Sequence, residues 1–205
     1  MNPTQAAPVG RRAFAPAQPQ RDAVAGPGDR IVVIGNGPGA GKTVFAQRLA
    51  ARLGLPHIEL DALHWILPNW APPPVDEFRA RVDGATSTPA WVAEGGYSKT
   101  RDLVWGRADT IVWLDFPLRV HFWRLAWRSL RLVRRRELLW GTNRQTPRAA
   151  LRLVTWLLRT FARRRRQYAQ MMRSPPYDTK RWIRFARPGD AEAWLAEVTP
   201  AGAQR

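Results

Sequence analysis

The chain has 205 residues, a formal net charge of +17, a pI near 11.7 and no cysteine. That length suits one ordinary domain plus a tail, and the missing cysteines exclude disulfides, thiolate metal sites and a cysteine nucleophile. No apolar run of about eighteen residues escapes interruption by arginine and the N-terminus lacks a signal-peptide core, so a cytoplasmic protein with no membrane span is expected.

Residues 1–28 are rich in Ala, Pro, Gln and Gly without apolar periodicity, which predicts a disordered tail. The folded domain is expected over 29–198, with a short disordered C-terminus over 199–205. Ile31-Val32-Val33-Ile34 is a β-branched apolar run, the pattern of a strand buried on both faces. A glycine-rich turn follows it, and then helical spacing from Val44 to Leu53, stopped by Gly54. Short strands are predicted over 56–60, 91–93, 110–114 and 181–185. Residues 65–74, rich in Trp and Pro, read as loop, and 75–85 as helix. Two long arginine-rich helices are expected over about 118–136 and 148–173, separated by a Gly141-Thr142-Asn143 loop, and a closing helix over 190–198. Short strands alternating with helices predict an α/β fold, a parallel sheet covered on both faces.

The turn after the first strand carries the strongest chemical signal. Asn36-Gly37-Pro38-Gly39-Ala40-Gly41-Lys42-Thr43 joins a strand to a helix, as in a P-loop. Backbone N–H groups of such a loop wrap phosphates with help from the helix dipole. Lys42 is expected to reach the outer phosphates and the Thr43 hydroxyl to ligate Mg²⁺ of a bound ATP. The motif departs from the usual form at its first position, where Asn36 replaces glycine and Gly35 stands one residue early. Asparagine tolerates left-handed backbone better than other non-glycine residues, so the loop is expected to form.

Ligands of open α/β sheets bind beyond the carboxyl ends of the strands, where Asp61, Glu94 and Asp115 lie. Asp61 is a candidate to hold a substrate hydroxyl or act as general base, or else to cap the turn that follows it. Glu94 precedes Gly95-Gly96, where missing side chains would let a substrate approach. Asp115 ends the most apolar strand. Either Glu94 or Asp115 suits the magnesium side, depending on strand order. His64 and His121 have no recognisable catalytic partner.

Between Arg119 and Arg187 twenty Lys or Arg residues face two acids, Glu137 and Asp178. Such a half suits a polyanionic partner. A nucleic-acid-binding ATPase, using Arg163-Arg164-Arg165-Arg166 beside Trp156 and Tyr168, is therefore the alternative to an enzyme acting on a small-molecule phosphate acceptor. Phe122, Trp123, Trp127, Trp156 and Phe161 are read as packing residues rather than a membrane-surface face.

The segments Gly39-Ala40-Gly41-Lys42-Thr43, Leu60-Asp61-Ala62-Leu63-His64-Trp65 and Glu94-Gly95-Gly96-Tyr97-Ser98 together are specific. With Trp113-Leu114-Asp115-Phe116-Pro117 and Leu138 to Arg144, they make the chain resemble adenylate-kinase-like P-loop proteins of the DNA topology modulation type. The resemblance implies a nucleoside-monophosphate-kinase-like fold with strand order 2-3-1-4-5 and an arginine-rich helical lid over about 130–147. It implies Glu94 rather than Asp115 as the magnesium-side acid. It places Arg124 near the nucleotide base, Arg128 on its phosphates, and Arg101, Gly95 and Gly96 against the substrate. Where the family has Asp-Gly-Asn-Tyr, this chain has Glu94-Gly95-Gly96-Tyr97. The implied activity is nucleotide-kinase-like transfer of the γ-phosphoryl group of ATP.

Overall fold

A computed structural model describes residues 27–135, 138–140 and 143–199. Of the tails expected over 1–28 and 199–205, residues 1–26 and 200–205 lie outside the described residues, as do Arg136, Glu137, Gly141 and Thr142 of the lid segment. In chain order the elements are β1 (Arg30–Gly35), α1 (Lys42–Leu53), β2 (His57–Glu59), α2 (Leu60–His64), α3 (Val75–Ala85), β3 (Trp91–Glu94) and α4 (Arg101–Arg107). There follow β4 (Thr110–Leu114), α5 (Leu118–Arg135), β5 (Leu138–Leu139), β6 (Asn143–Arg144), α6 (Pro147–Met171), β7 (Arg181–Phe185) and α7 (Pro188–Glu197).

Five strands form one parallel sheet in the order β2-β3-β1-β4-β7. This is the expected 2-3-1-4-5 order, with β7 as the fifth sheet strand. β1 is central because its four apolar residues, Ile31 to Ile34, must be covered on both faces, and all are fully buried. On one face α1 and α7 close a core through Phe45, Leu49 and Leu195. On the other, α3, α4 and the end of α6 contribute Phe78, Val82, Val104, Trp105 and Tyr168.

α6 starts at a capped end: the Thr146 hydroxyl accepts from the Ala149 N–H at 3.2 Å, and Pro147 occupies the first turn, where its missing N–H costs nothing. It buries Leu157, Phe161 and Tyr168, one helical stripe. Leu157 and Phe161 meet Leu125 of α5 in a third, smaller cluster. The segment between the two long helices differs from the helical lid expected. Leu138–Leu139 and Asn143–Arg144 pair as a short antiparallel ladder. The Trp-rich stretch 65–74, read as loop, contains a single 3₁₀ turn at Pro68–Trp70. Helix α4 had no sequence reading of its own. Among the described residues no helix is long and apolar enough to cross a membrane.

Candidate functional site

The carboxyl ends of β1, β3 and β4 open into a cavity of about 1070 Å³ bounded by the glycine loop, the 94–97 turn, α5, α6 and the 138–145 segment. The loop is built by close approaches that side chains would block. A Cβ at Gly35 would lie 2.5 Å from the Ala40 Cβ, and one at Gly37 would lie 2.6 Å from Leu157 of α6. Gly39 has φ +76° and faces the His121 carbonyl of α5 at a distance no Cβ would tolerate. Gly41, at φ +85°, opens α1, whose first turn has no side-chain cap and no acid. Its N–H groups therefore lack a protein side chain to satisfy them, and the positive end of the helix dipole faces the cavity. Lys42 and Thr43 line the same space.

Asn36 corrects the sequence reading. It does not adopt a positive φ, which among the described non-glycine residues belongs to Asn69, Trp70 and Trp140. Its side chain is fully buried and points away from the cavity: Nδ2 donates to Asp115 at 2.7 Å, and Oδ1 accepts from the Trp113 indole at 3.0 Å. The tight closure at the start of the loop falls to Gly35 instead, which explains the shifted glycine.

Asp115 is the second correction. Its side chain is fully buried and held by two guanidinium groups. Arg165 Nε donates to Oδ1 at 2.8 Å, and Arg184 Nε donates to Oδ2 at 2.9 Å. With Asn36 on the same oxygen as Arg165, every strong acceptor direction of this carboxylate has a protein donor. It joins the loop, β4, α6 and β7 and has no capacity left for a metal ion.

Glu94 is its opposite. It is 1% exposed, at the end of β3, the strand paired with β1. Oε1 accepts from the Thr43 hydroxyl at 2.9 Å, and Oε2 is buried without a partner. Burial pushes its carboxyl above the usual range; Lys42 and the Thr43 bond oppose the shift, while Asp61 and Glu59 add to it. A buried carboxylate oxygen left bare beside a P-loop threonine is a position that a cation or its bound water would satisfy. The residues present therefore fit a Mg²⁺ carried in with phosphates, an ion that takes few ligands from protein.

Asp61 stands in the first turn of α2 and does not cap it. Its Oδ1 accepts from the Tyr97 hydroxyl at 2.5 Å, while burial first and the Asp61 charge second hold that phenol above its ordinary range. The His64 ring stacks on Tyr97 at 4.6 Å and meets Phe78 edge-on, a platform that fixes the carboxylate. Gly95, at φ +141°, packs against Leu60, and a Cβ on Gly96 would reach the Tyr168 hydroxyl at 2.9 Å. Both line the cavity.

Arg124 and Arg128 also line it, and Arg124 Nη1 donates to the Ala40 carbonyl at 3.1 Å beside Phe116. Among the described arginines of the 130–147 segment expected as a lid, Arg131 lines the cavity. Arg101 does not. It lies over Trp105 and faces a second cleft with Arg163, Arg164 and Arg166, because it begins α4 on the outer side of the 94–97 turn; of these, Arg164 also lines the main cavity, where it reaches the Gly96 carbonyl. The 163–166 run is not uniform: Arg165 turns in to Asp115, and Arg164 stands over Trp156 at 4.7 Å. His121 is buried, with Nδ1 3.1 Å from the Pro38 carbonyl, and burial lowers its pKa to about 4, so the neutral ring donates that bond.

Sequence reasoning missed the roof. Trp140 donates its indole N–H to Glu59 at 3.2 Å and meets Trp70 edge-on, and Trp70 meets Trp65. Asn143, buried, accepts from the Trp70 N–H at 2.7 Å and donates to the Trp65 and Leu67 carbonyls. Those contacts bind the 138–144 ladder to the Trp-rich loop over Asp61. The clustering of tryptophan at 65, 70 and 140 was the available signal.

The sheet order, the glycine loop and the strand-end acid beside it settle the architecture. This is a P-loop NTPase fold. No protein-family model and no curated protein matches the sequence. Among solved structures, the chain is similar to shikimate kinase from Acinetobacter baumannii, with 21% identity and a TM-score of 0.48 over 82% of this chain and 90% of that one. It is also similar to a sugar kinase from Janibacter, with 19% identity and a TM-score of 0.47 over 87% and 100%. A gluconokinase from Sinorhizobium meliloti gives 21% and 0.47 over 84% and 94%. Likeness at that level says nothing about which acceptor this chain takes.

Proposed function

We propose that the chain is an ATP-dependent phosphotransferase that moves the γ-phosphoryl group onto a hydroxyl of a small acceptor. The observation that carries this reading is the pair Thr43–Glu94, hydrogen-bonded at 2.9 Å with Glu94 Oε2 buried and bare. It stands at the mouth of an uncapped helix with Lys42 alongside. The resemblance to adenylate-kinase-like proteins is in keeping with it, since β3 lies beside β1.

Phosphoryl transfer needs little covalent work from a protein; the rate comes from alignment and from neutralising charge on the transferring oxygens. The loop N–H groups and Lys42 would hold the β- and γ-phosphates. Thr43 and Glu94 would hold Mg²⁺, whose bound charge neutralises phosphate oxygens. Of the arginines that line the cavity, Arg124 would serve the nucleotide, and Arg128, Arg131 and Arg152 the phosphates, where a planar guanidinium grips two oxygens at once. Asp61, held by Tyr97, would orient the acceptor hydroxyl and take its proton. The oxygen then bonds to the γ-phosphorus as the bridge to the β-phosphate breaks, and ADP leaves with that electron pair. The roof of Trp70, Trp140 and Asn143 would exclude water and so limit hydrolysis.

The test is ADP release from MgATP over nucleosides, nucleoside monophosphates and small hydroxylated metabolites, with Lys42→Ala as control. Acceptor-stimulated release that is lost in the variant is the expected result. Release stimulated by DNA or RNA and by no small acceptor would sink it.

A further inference from the structure

The cavity is electrically divided. Its arginines come from α5 and from α6. The wall made by β2, α2 and the roof instead presents Glu59 and Asp61 among the indoles of Trp65, Trp70 and Trp140. Among the described residues neither carboxylate is paired with a Lys or Arg. Glu59 is held by the Trp140 indole and Asp61 by the Tyr97 hydroxyl. Arg101, the residue the family resemblance assigned to a substrate phosphate, faces another cleft. A phosphate placed on this wall would meet two carboxylates; the guanidinium nearest the 94–97 turn, Arg164, comes from α6 and is engaged by the Gly96 carbonyl and the Trp156 ring. Like charges at a few ångströms repel strongly in a partly enclosed site.

The wall suits other chemistry. A carboxylate fixed by one neutral donor keeps acceptor capacity for hydroxyls. Indole faces carry negative charge and attract the polarised C–H groups or the flat face of a ring. The Trp70 indole N–H donates to the Arg144 carbonyl and the Trp140 indole N–H to Glu59, so both rings form a fixed wall.

We infer that the acceptor is a hydroxylated ring compound carrying no phosphate of its own, its apolar face on Trp70 and Trp140 and its hydroxyls on Asp61 and Glu59. This rests on the phosphotransferase reading. An acceptor hydroxyl gives up its proton, its oxygen takes the γ-phosphoryl group of ATP, and ADP and the acceptor's phosphate monoester result. Cyclic polyols and nucleosides share this chemistry.

Calorimetric titration of the full chain, with and without a non-hydrolysable MgATP analogue, tests it with matched pairs. These are D-glucose against glucose 6-phosphate for the polyol arm, and adenosine against AMP and cytidine against CMP for the nucleoside arm. In at least one pair the unphosphorylated member binds about tenfold tighter or better, and Glu59→Gln with Asp61→Asn narrows that ratio to within about threefold. The arm in which this occurs identifies the source. Phosphorylated members that bind as well or better overturn the inference, and so does an absence of binding in every pair. MgATP binding, measured separately with Lys42→Ala as control, distinguishes the two levels. If MgATP binds and the phosphorylated members win, the acceptor inference alone fails; if MgATP does not bind, both fail.

Discussion

Glu94 and Asp115 stand in matching places, each at the carboxyl end of a strand that pairs with β1, and each is buried to within 2%. Their surroundings reverse their chemistry. Asp115 is saturated by Asn36, Arg165 and Arg184 and stabilises the join between the loop and three other elements. Glu94 keeps a bare oxygen, against the cost of burying an unpaired carboxylate, next to the threonine of the phosphate loop. A strand-end acid with all its partners is architecture. One left short of partners is poised for a ligand.

The sharpest way to break the comparison is to neutralise each acid. Glu94→Gln should lower ADP release on the order of 10²–10³-fold, as loss of a metal-side or charge-stabilising group does. The same change should leave the melting temperature unchanged or raised. The sign follows from the raised pKa: folding favours the protonated carboxyl, so stability from this group is present at low pH and is lost as pH rises through its folded value. Asp115→Ala should do the reverse. It strands two guanidinium groups and Asn36, and because Arg165 is half exposed the cost is about 2–4 kcal/mol rather than the full value for a closed pair. Thermal unfolding and turnover measured on both variants would read all four outcomes; a destabilised Glu94→Gln would contradict the assignment.

A third effect comes from His121, which supports the loop from α5 through the Pro38 carbonyl. Its folded pKa of about 4 lies below the unfolded value of about 6.5, so the unfolded chain binds the extra proton. Stability should therefore fall as pH drops from about 6.5 to 4, by up to about 3 kcal/mol. His121→Gln should flatten that acid slope in unfolding measured against pH. The smallest effect is at the roof. Trp140→Ala removes the hold on Glu59 and one face of the aromatic wall, and should raise the acceptor KM about tenfold with a smaller change in the ATP KM. Equal changes in both would mean that the roof does not belong to the acceptor side.

Much of this molecule could be read from its residues. The β-branched run 31–34, the glycine loop and Gly41-Lys42-Thr43 are local signals, because strand, turn and helix start are set by neighbours in the chain. The fates of Glu94 and Asp115 were not local. Arg165 and Arg184 lie 50 and 69 residues from Asp115, and nothing in spacing brings them together. Asn36 misled for a related reason: its likeness to a loop glycine was local, whereas its real partners, Trp113 and Asp115, come from β4 and the residue that follows it. Arg101 was carried over from family likeness onto a helix that turns it outward. The roof depends on side-chain packing between residues 65–70 and 140–143, which periodicity does not encode.

Glu94, and not Asp115, is the acid proposed to serve the magnesium side of a nucleotide site. The direct measurement is ATP binding by calorimetry with and without Mg²⁺, on the unaltered chain, Glu94→Gln and Asp115→Asn. Mg²⁺ is expected to tighten ATP binding in the unaltered chain and in Asp115→Asn, whereas Glu94→Gln should lose most of that gain while still binding ATP. A Mg²⁺ gain that survives in Glu94→Gln and vanishes in Asp115→Asn would contradict it.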